Sequence, residues 1–294
     1  LGDVLLMPMN EVRTERGDQK DISNGYVSTY SHKNEVVRPY YYSVLLDKYQ
    51  IRAELTATAR VGFHRYTYPS GKPSYVLVDL HEGNGDDAYS CYARKVDDYT
   101  VAGYRYTHGW SPDRKVYFVL KSNVKIRKFT LYDGNAPTGR VQLRTKSVKG
   151  LLDFGQTGQV RLKVALSPVS IPNAMENMES ELPGWDFESV EASARSSWNA
   201  QLSKIRIRAL DDRERRIFYT SLYHTMIDPS LYCDVNGQYR GIDDMVYTDP
   251  SKSNYTTMSL WDTYRAWTPL MTLIQPELVP HLVNSMISIY RQQD

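Results

Sequence analysis

Short β-rich segments recur at regular intervals over the first part of the chain. They cover residues 40–46, 52–60, 61–68, 74–80, 100–107, 115–119, 126–132, 140–145 and 160–169. Glycine, proline, asparagine and aspartate separate them, in turn sequences such as PSGKP, EGNGDD and DGNAP. Strands this short, at this spacing, predict a large antiparallel β-sandwich.

The pattern becomes helical near residue 173. Val190, Trp198 and Leu202 recur at helical spacing, and Asp186 precedes them as a candidate N-cap. A second helix is predicted over DDRERRIFYTSLYHTMI, which starts at the acidic residue Asp211, and a third is predicted to begin near residue 259 and run through residue 274. Strands followed by helices indicate an α+β chain.

This order divides the chain into three predicted regions. Residues 1–172 form the sandwich, residues 173–207 a helical linker, and residues 208–294 the start of a helical domain. The chain opens on the strand-like stretch LGDVLLMPMN and ends in a helical pattern without a clear C-cap, so we expect truncation at both ends.

Composition excludes several classes of protein. Lys and Arg number 36 against 34 Asp and Glu, without a long run of one sign, which argues against a nucleic-acid partner. No apolar run approaches the roughly 18 residues of a membrane span. Cys91 and Cys233 have no metal-binding spacing, and two buried thiols are favoured over one long-range disulfide. The 24 tyrosines suit strands with one wet face and also surfaces that stack against sugars.

The stretch SLWDTYRAW (residues 259–267) concentrates aromatic and charged side chains. In a helix, Trp261, Asp262 and Arg265 share a face. An indole beside a carboxylate and a guanidinium suits a polyol, because the ring covers C–H faces while the charged groups bind hydroxyls. The alternative is structural: Trp261 and Trp267 lie in the core, and Asp262 caps the helix and pairs with Arg265.

Further candidates for sugar binding lie in two loops. One follows the second predicted helix and contains Asp234, Asn236, Gly237, Arg240 and Asp243, with a hairpin turn predicted at Asn236 and Gly237. These residues could equally be ordinary turn formers.

The other loop lies in the sandwich and contains His32, Asn34 and Glu35, whose alternative is a solvated loop. The oxygen-rich segment HEGNGDD (residues 81–87) lacks the ligand spacing of an EF-hand, and we interpret it as a polar hairpin.

Five blocks of the sequence resemble one family in order. They are LGDVLLMP, YSHKNEVVRPYYYSVLL, IRAELTATARVGFHRYTYP, LYHTMIDPSLYCDVNGQYRGID and SLWDTYRAWTPLMTLIQPE. Together they resemble the N-terminal half of glycoside hydrolase family 92, the calcium-dependent, exo-acting α-mannosidases of bacteria. One departure lies at Pro39–Tyr42, where the family usually has Pro-Gly-Tyr-Tyr and this chain has Pro-Tyr-Tyr-Tyr.

The resemblance implies an N-terminal β-sandwich, a helical linker and an (α/α)6 barrel that starts at residue 208. It implies mannose-containing glycans as partners, calcium as cofactor and inversion at the anomeric carbon, with the remainder of the barrel as a further partner. The general acid, the general base and most calcium ligands are expected beyond Asp294, so we expect this segment alone to be inactive. Export to the periplasm or the cell surface is also expected.

Two rival interpretations remain open at this stage. A non-catalytic carbohydrate-binding protein would use the tyrosine-rich sandwich as its sugar-binding surface, without metal. Another (α/α)6 glycosidase, similar to glucoamylases or maltose phosphorylases, would not require calcium at the sugar hydroxyls. The sequence leaves the linkage preference and the oligomeric state undetermined.

Overall fold

The computed structural model describes residues 3–18, 23–251 and 253–293. The strands are β1 (Leu5–Met9), β2 (Glu35–Arg38), β3 (Tyr41–Leu46), β4 (Ile51–Ala57), β5 (Val61–Thr67), β6 (Tyr75–Asp79), β7 (Asp87–Lys95), β8 (Thr100–His108), β9 (Arg114–Ser122), β10 (Lys128–Asp133), β11 (Ala136–Pro137), β12 (Gln142–Thr145), β13 (Val148–Asp153), β14 (Gln159–Ser167), β15 (Ser230–Leu231), β16 (Gln238–Arg240), β17 (Val246–Thr248) and β18 (Tyr255–Thr256). The α-helices are α1 (Ile171–Glu181), α2 (Phe187–Leu202), α3 (Asp212–His224), α4 (Leu260–Thr263), α5 (Trp267–Ile274) and α6 (Val279–Arg291), and a short 3-10 helix covers His32–Asn34.

Two antiparallel sheets form the first part of the chain. A five-stranded sheet has the order β1-β6-β13-β10-β11, and a nine-stranded sheet has the order β12-β7-β8-β9-β14-β5-β4-β3-β2. Strands followed by helices confirm the predicted α+β class with its antiparallel sandwich. The contacts divide the chain into two compact units, one ending at Glu191 and the other starting at Ala192. The predicted boundaries at residues 172 and 207 stay predictions.

The nine-stranded sheet buries apolar side chains on both faces. Successive side chains of a strand point to opposite faces, so Phe118 and Leu120 of β9 enter the core between the sheets while Val119 points away from it. Val119 packs in a second cluster with Met178 of α1 and Phe187 of α2. This second layer explains why Val119 is buried in addition to the alternate positions of β9 that face the core between the sheets.

Helix α1 is capped at its N-terminus and is attached near its C-terminus to the loop between β4 and β5 of the nine-stranded sheet. The Ser170 hydroxyl accepts a hydrogen bond from the Asn173 backbone N–H at the N-terminus. Near the C-terminus, the Glu181 carboxylate accepts from the Thr58 hydroxyl at 2.5 Å and from the Arg60 backbone N–H at 2.9 Å. The helix is therefore a fixed part of the sandwich unit.

The sandwich unit contains a histidine, His64, whose pKa is lowered by burial. His64 of β5 points the same way as Tyr66, and its Nδ1 lies 2.8 Å from the Tyr66 hydroxyl. Burial lowers the pKa of His64 to about 4. The folded state therefore takes up this proton at a pH near 4, whereas the unfolded chain takes it up near pH 6.5.

We expect the free energy of unfolding to fall by about 2 kcal/mol between pH 7 and pH 5 because of His64 alone. The sign follows from the depressed pKa: the unfolded state binds more protons as the pH falls through this window. Urea denaturation at the two pH values measures the loss. His64→Gln, which cannot titrate, should remove most of the difference, and an unchanged pH dependence in that variant contradicts the assignment.

The second unit contains helices and two small sheets. The Asp211 side chain accepts from the Glu214 backbone N–H at 2.8 Å, which confirms the predicted start of α3. In the first unit, Asp186 likewise accepts from the Ser189 backbone N–H at 3.1 Å and caps α2, as predicted. Strand β15 pairs with β18, and β16 with β17.

Three local predictions were wrong. The segment HEGNGDD is not a hairpin, because it connects β6 of the five-stranded sheet to β7 of the nine-stranded sheet. Asn236 and Gly237 form a turn before β16, whereas the loop that joins β16 to β17 is residues 241–245. The helix predicted from residue 259 to residue 274 is divided into α4 and α5.

Other sequence predictions agree with the structure. Cys91 and Cys233 are both buried and do not form a disulfide. In the part of the chain that the structure describes, no helix is both long and apolar enough to cross a membrane.

Candidate functional site

The segment SLWDTYRAW folds as a short helix, a turn and the start of a second helix. Helix α4 ends at Thr263, residues 264–266 form the turn, and α5 begins at Trp267. Pro269 explains the interruption. A continuous helix would require its missing N–H to donate to the carbonyl of Arg265, and its ring would clash with that carbonyl.

The candidate sugar-binding side chains of this segment are exposed within their unit. Trp261 is 75% exposed, and Asp262 and Arg265 are also exposed. The Arg265 Nε donates to the Tyr264 hydroxyl at 2.8 Å, and the guanidinium lies 5.7 Å from the centre of the Tyr264 ring. Tyr264 thus orients the guanidinium of Arg265. The other N–H groups of that guanidinium stay available to a ligand.

Several contacts of the structural alternative are not formed among the described residues. There, Trp261 is exposed, and the Asp262 carboxylate pairs with neither Arg265 nor another side chain. Asp262 lies inside α4, whose N-cap Ser259 makes no side-chain capping hydrogen bond. Trp267 does have a structural role, because its Nε1 donates to the carbonyl of Thr225 at 2.6 Å.

Asp234, Asn236 and Gly237 stabilise the turn before β16. Asp234 is nearly fully buried, and its carbonyl accepts from the Gly237 N–H at 2.8 Å. The Asn236 side chain accepts from the Gln238 N–H at 3.0 Å, and Gly237 has a φ of 84°, which glycine adopts without strain. These contacts support the turn-former interpretation for this group.

Arg240 and Asp243 lie in the hairpin formed by β16 and β17. Arg240 donates to the carbonyl of Asp244 at 2.8 Å and to its carboxylate at 3.1 Å. Asp243 accepts from the Tyr247 hydroxyl at 2.6 Å and from the Met245 N–H at 3.0 Å. The hydrogen bond from Tyr247 lowers the pKa of Asp243, so the group is a carboxylate at neutral pH.

His32, Asn34 and Glu35 lie in the sandwich unit. The His32 Nδ1 is 2.6 Å from the Glu35 carboxylate, which also accepts from the Tyr42 hydroxyl at 2.8 Å. The contact with His32 and then that with Tyr42 lower the pKa of Glu35. Asn34 contributes a backbone N–H to the carbonyl of Ser31 at 2.9 Å. His32 and Glu35 therefore form a local pair that Tyr42 supports.

The sequence analysis did not single out the tyrosines that support these groups. The Tyr264 hydroxyl accepts a hydrogen bond from Arg265. The Tyr247 hydroxyl donates to Asp243, and the Tyr42 hydroxyl donates to Glu35. Tyr264 could have been found from its place inside SLWDTYRAW. The contacts of Tyr247 and Tyr42 depend on strand pairing, which no local sequence pattern specified.

No metal ligands are assigned among the described residues. Within residues 3–18, 23–251 and 253–293, no group of three or more His, Cys, Asp or Glu side chains is placed to hold a metal ion.

Comparisons with known proteins place the chain among the glycoside hydrolases. Residues 1–167 match the glycosyl hydrolase family 92 N-terminal domain, and residues 173–294 match the glycosyl hydrolase family 92 catalytic domain. The chain belongs to glycoside hydrolase family 92, which confirms the resemblance found in the sequence. A search of curated proteins found no match.

Solved structures of family members have the same fold. A family 92 α-mannosidase from Bacteroides thetaiotaomicron is 33% identical, with a TM-score of 0.94 over 99% of this chain and 41% of its own. A second structure of that enzyme is a complex with mannoimidazole. A family 92 inverting mannosidase from Bacteroides thetaiotaomicron VPI-5482 is 26% identical, with a TM-score of 0.85 over 98% of this chain and 38% of its own. The chain thus spans about two fifths of the length of these relatives.

Proposed function

We propose that the protein containing this chain removes terminal α-linked mannose from glycans by a calcium-assisted, inverting mechanism. The observation that carries the proposal is the match to an α-mannosidase at 33% identity and a TM-score of 0.94. The mannoimidazole complex of that relative supports mannose as the sugar. The inverting mannosidase among the relatives supports inversion.

In this proposal Trp261, Asp262 and Arg265 hold the terminal mannose. The exposed indole covers the C–H face of the ring, and the carboxylate of Asp262, which has no side-chain partner among the described residues, accepts hydrogen bonds from hydroxyls. The guanidinium, which Tyr264 orients, donates to other hydroxyls. The exposure of these side chains and the lack of a side-chain partner for Asp262 in the described part of the chain favour this group over the loop candidates, whose polar groups stabilise their own turns.

The proposed chemistry requires two carboxyl groups that this chain does not supply. In an inverting glycosidase, one carboxylic acid protonates the leaving oxygen and one carboxylate activates water, about 6.5–9.5 Å apart. We assign neither role to a residue of this chain and propose turnover only for the whole protein, with this segment alone inactive. Calcium dependence rests on the family resemblance. Because mannans are extracellular polymers, we also propose that the protein is located in the periplasm or at the cell surface.

The first test is mannose release from α-linked mannobioses by the whole protein, with calcium and then with EDTA. We expect EDTA to abolish activity and added calcium to restore it, with β-mannose as the first anomer detected by NMR. Activity that survives EDTA contradicts the calcium requirement, and α-mannose as first product contradicts inversion. Binding of mannosides without turnover favours the carbohydrate-binding alternative.

A further inference from the structure

An exposed tryptophan lies at one end of the nine-stranded sheet, outside the candidate site described above. Trp110 is 88% exposed and lies in the loop 109–113 that joins β8 to β9. Tryptophan is usually largely buried, because its indole is the largest apolar side chain. An indole in water at the tip of an ordered hairpin is therefore a candidate contact for a ligand.

The loop that carries Trp110 is fixed to the sandwich. Gly109 lies so close to Asp86 that a Cβ at this position would be 2.9 Å from the Asp86 Cβ. Asp86 accepts hydrogen bonds from the Arg105 guanidinium at 2.8 and 3.0 Å, and the Arg105 side chain is fully buried. The backbone just before the indole thus lies against a buried ion pair, which orders this side of the loop before a ligand binds.

Aromatic and polar groups lie beside this loop. The ring of Tyr89 stacks on that of His108, with centres 4.2 Å apart and planes 16° from parallel. His108 is exposed, so one face of its ring is covered by Tyr89 and the imidazole lies at the solvent edge. The Tyr89 hydroxyl donates to Asp113 at 2.5 Å, and the other carboxylate oxygen of Asp113 lies 3.2 Å from the Lys115 Nζ. These contacts lower the pKa of Asp113 and keep it ionised.

We propose that Trp110, His108 and Asp113 form a second saccharide-binding site on the sandwich unit, which takes neutral chains of mannose residues. The aromatic rings supply surfaces for the C–H faces of sugar rings, and the carboxylate accepts hydrogen bonds from hydroxyls. The charges of Asp113 and Lys115 offset one another, which suits an uncharged ligand rather than an anion. The choice of mannose rests on the proposed function; the site itself rests on these side chains.

The test is the affinity of the whole protein for a soluble α-mannan, measured by affinity electrophoresis and calorimetry. We expect Trp110→Ala to weaken binding about tenfold, as the loss of one aromatic contact predicts, and Asp113→Asn to weaken it in the same direction. Tyr99→Ala is the matched control, because Tyr99 is 43% exposed in a different loop, and its affinity should equal that of the wild type. Unchanged melting temperatures exclude misfolding as the cause.

Affinity for mannan that is the same in Trp110→Ala and the wild type overturns the site, as does a wild type that does not bind mannan. Mannobiose hydrolysis by the wild type is scored separately. Hydrolysis without a Trp110 effect leaves the proposed function intact and removes the second site. A Trp110 effect without hydrolysis supports the second site and removes the proposed function.

Discussion

Replacing Asp262 by Asn in the whole enzyme is expected to lower kcat/KM for α-mannosides by about 10- to 100-fold. Asn keeps the size of the side chain but loses the charge, and a hydrogen bond to a charged group contributes about 1.5–3 kcal/mol. Asp262 is exposed and has no side-chain partner among the described residues, so a loss of kcat/KM at an unchanged melting temperature reports weaker substrate binding rather than misfolding. Steady-state kinetics on an α-mannobiose, with thermal unfolding in parallel, measures both effects.

Asp212→Asn is the matched control for this prediction. The Asp212 side chain is 85% exposed at the start of α3, where it pairs with Arg215 at 2.7 Å. Replacing it by Asn makes the same chemical change at a residue outside the candidate site. Its kcat/KM should stay within about twofold of the wild type, because surface ion pairs contribute little. If Asp262→Asn behaves like Asp212→Asn, Asp262 does not bind the substrate and the candidate site is wrong.

Replacing Arg105 by Met is expected to lower the free energy of unfolding by about 3–5 kcal/mol. The Arg105 side chain is fully buried, donates to the carbonyl of Leu80 at 2.8 Å and makes two hydrogen bonds to Asp86. Methionine matches much of its apolar length but removes the guanidinium that donates to the Leu80 carbonyl and neutralises the Asp86 carboxylate. Urea denaturation of the two proteins measures the difference.

Arg16→Met is the control for this second prediction. Arg16 also makes an ion pair, with Glu82 at 2.8 Å, but its side chain is 57% exposed. Its loss should change stability by less than about 1 kcal/mol. A double variant, Arg105→Met with Asp86→Ala, should lose less than the sum of the two single changes, because the partners form one unit. Additive losses contradict a coupled ion pair.

Much of the sandwich could be predicted from the sequence, because its signals are local. Period-two apolar segments specify strands whichever residues they later pair with, and the N-caps Asp186 and Asp211 act within a few residues of their own helices. The predictions that failed are those that depend on contacts between residues distant in the sequence. HEGNGDD has the composition of a hairpin, yet Asp86 pairs with Arg105 and the segment crosses between sheets, which depends on distant residues.

The candidate site was predictable in composition but not in geometry. Trp261, Asp262 and Arg265 were identified by residue type, whereas the turn at residues 264–266 and the support from Tyr264 appear only in the folded chain. Pro269 indicated the interruption of the helix, but the helical periodicity of residues 259–274 led to the prediction of one continuous helix. Trp110 gave no signal at all, because exposure is not encoded in a single residue type.

The sequence by itself determined the class of this protein: an antiparallel sandwich followed by helices, in a chain of glycoside hydrolase family 92. The fold class follows from short-range periodicity, and the family from five blocks that resemble it in order. Both can be recognised without knowing which residues are in contact in the folded chain. The tertiary structure alone decided which charges are paired and which are available. Asp86 and Asp262 are both aspartates in polar segments, but only the first lies against a buried guanidinium. The physical reason is that burial and partner choice depend on residues distant in the sequence, and these two quantities separate a structural carboxylate from one that can bind a sugar.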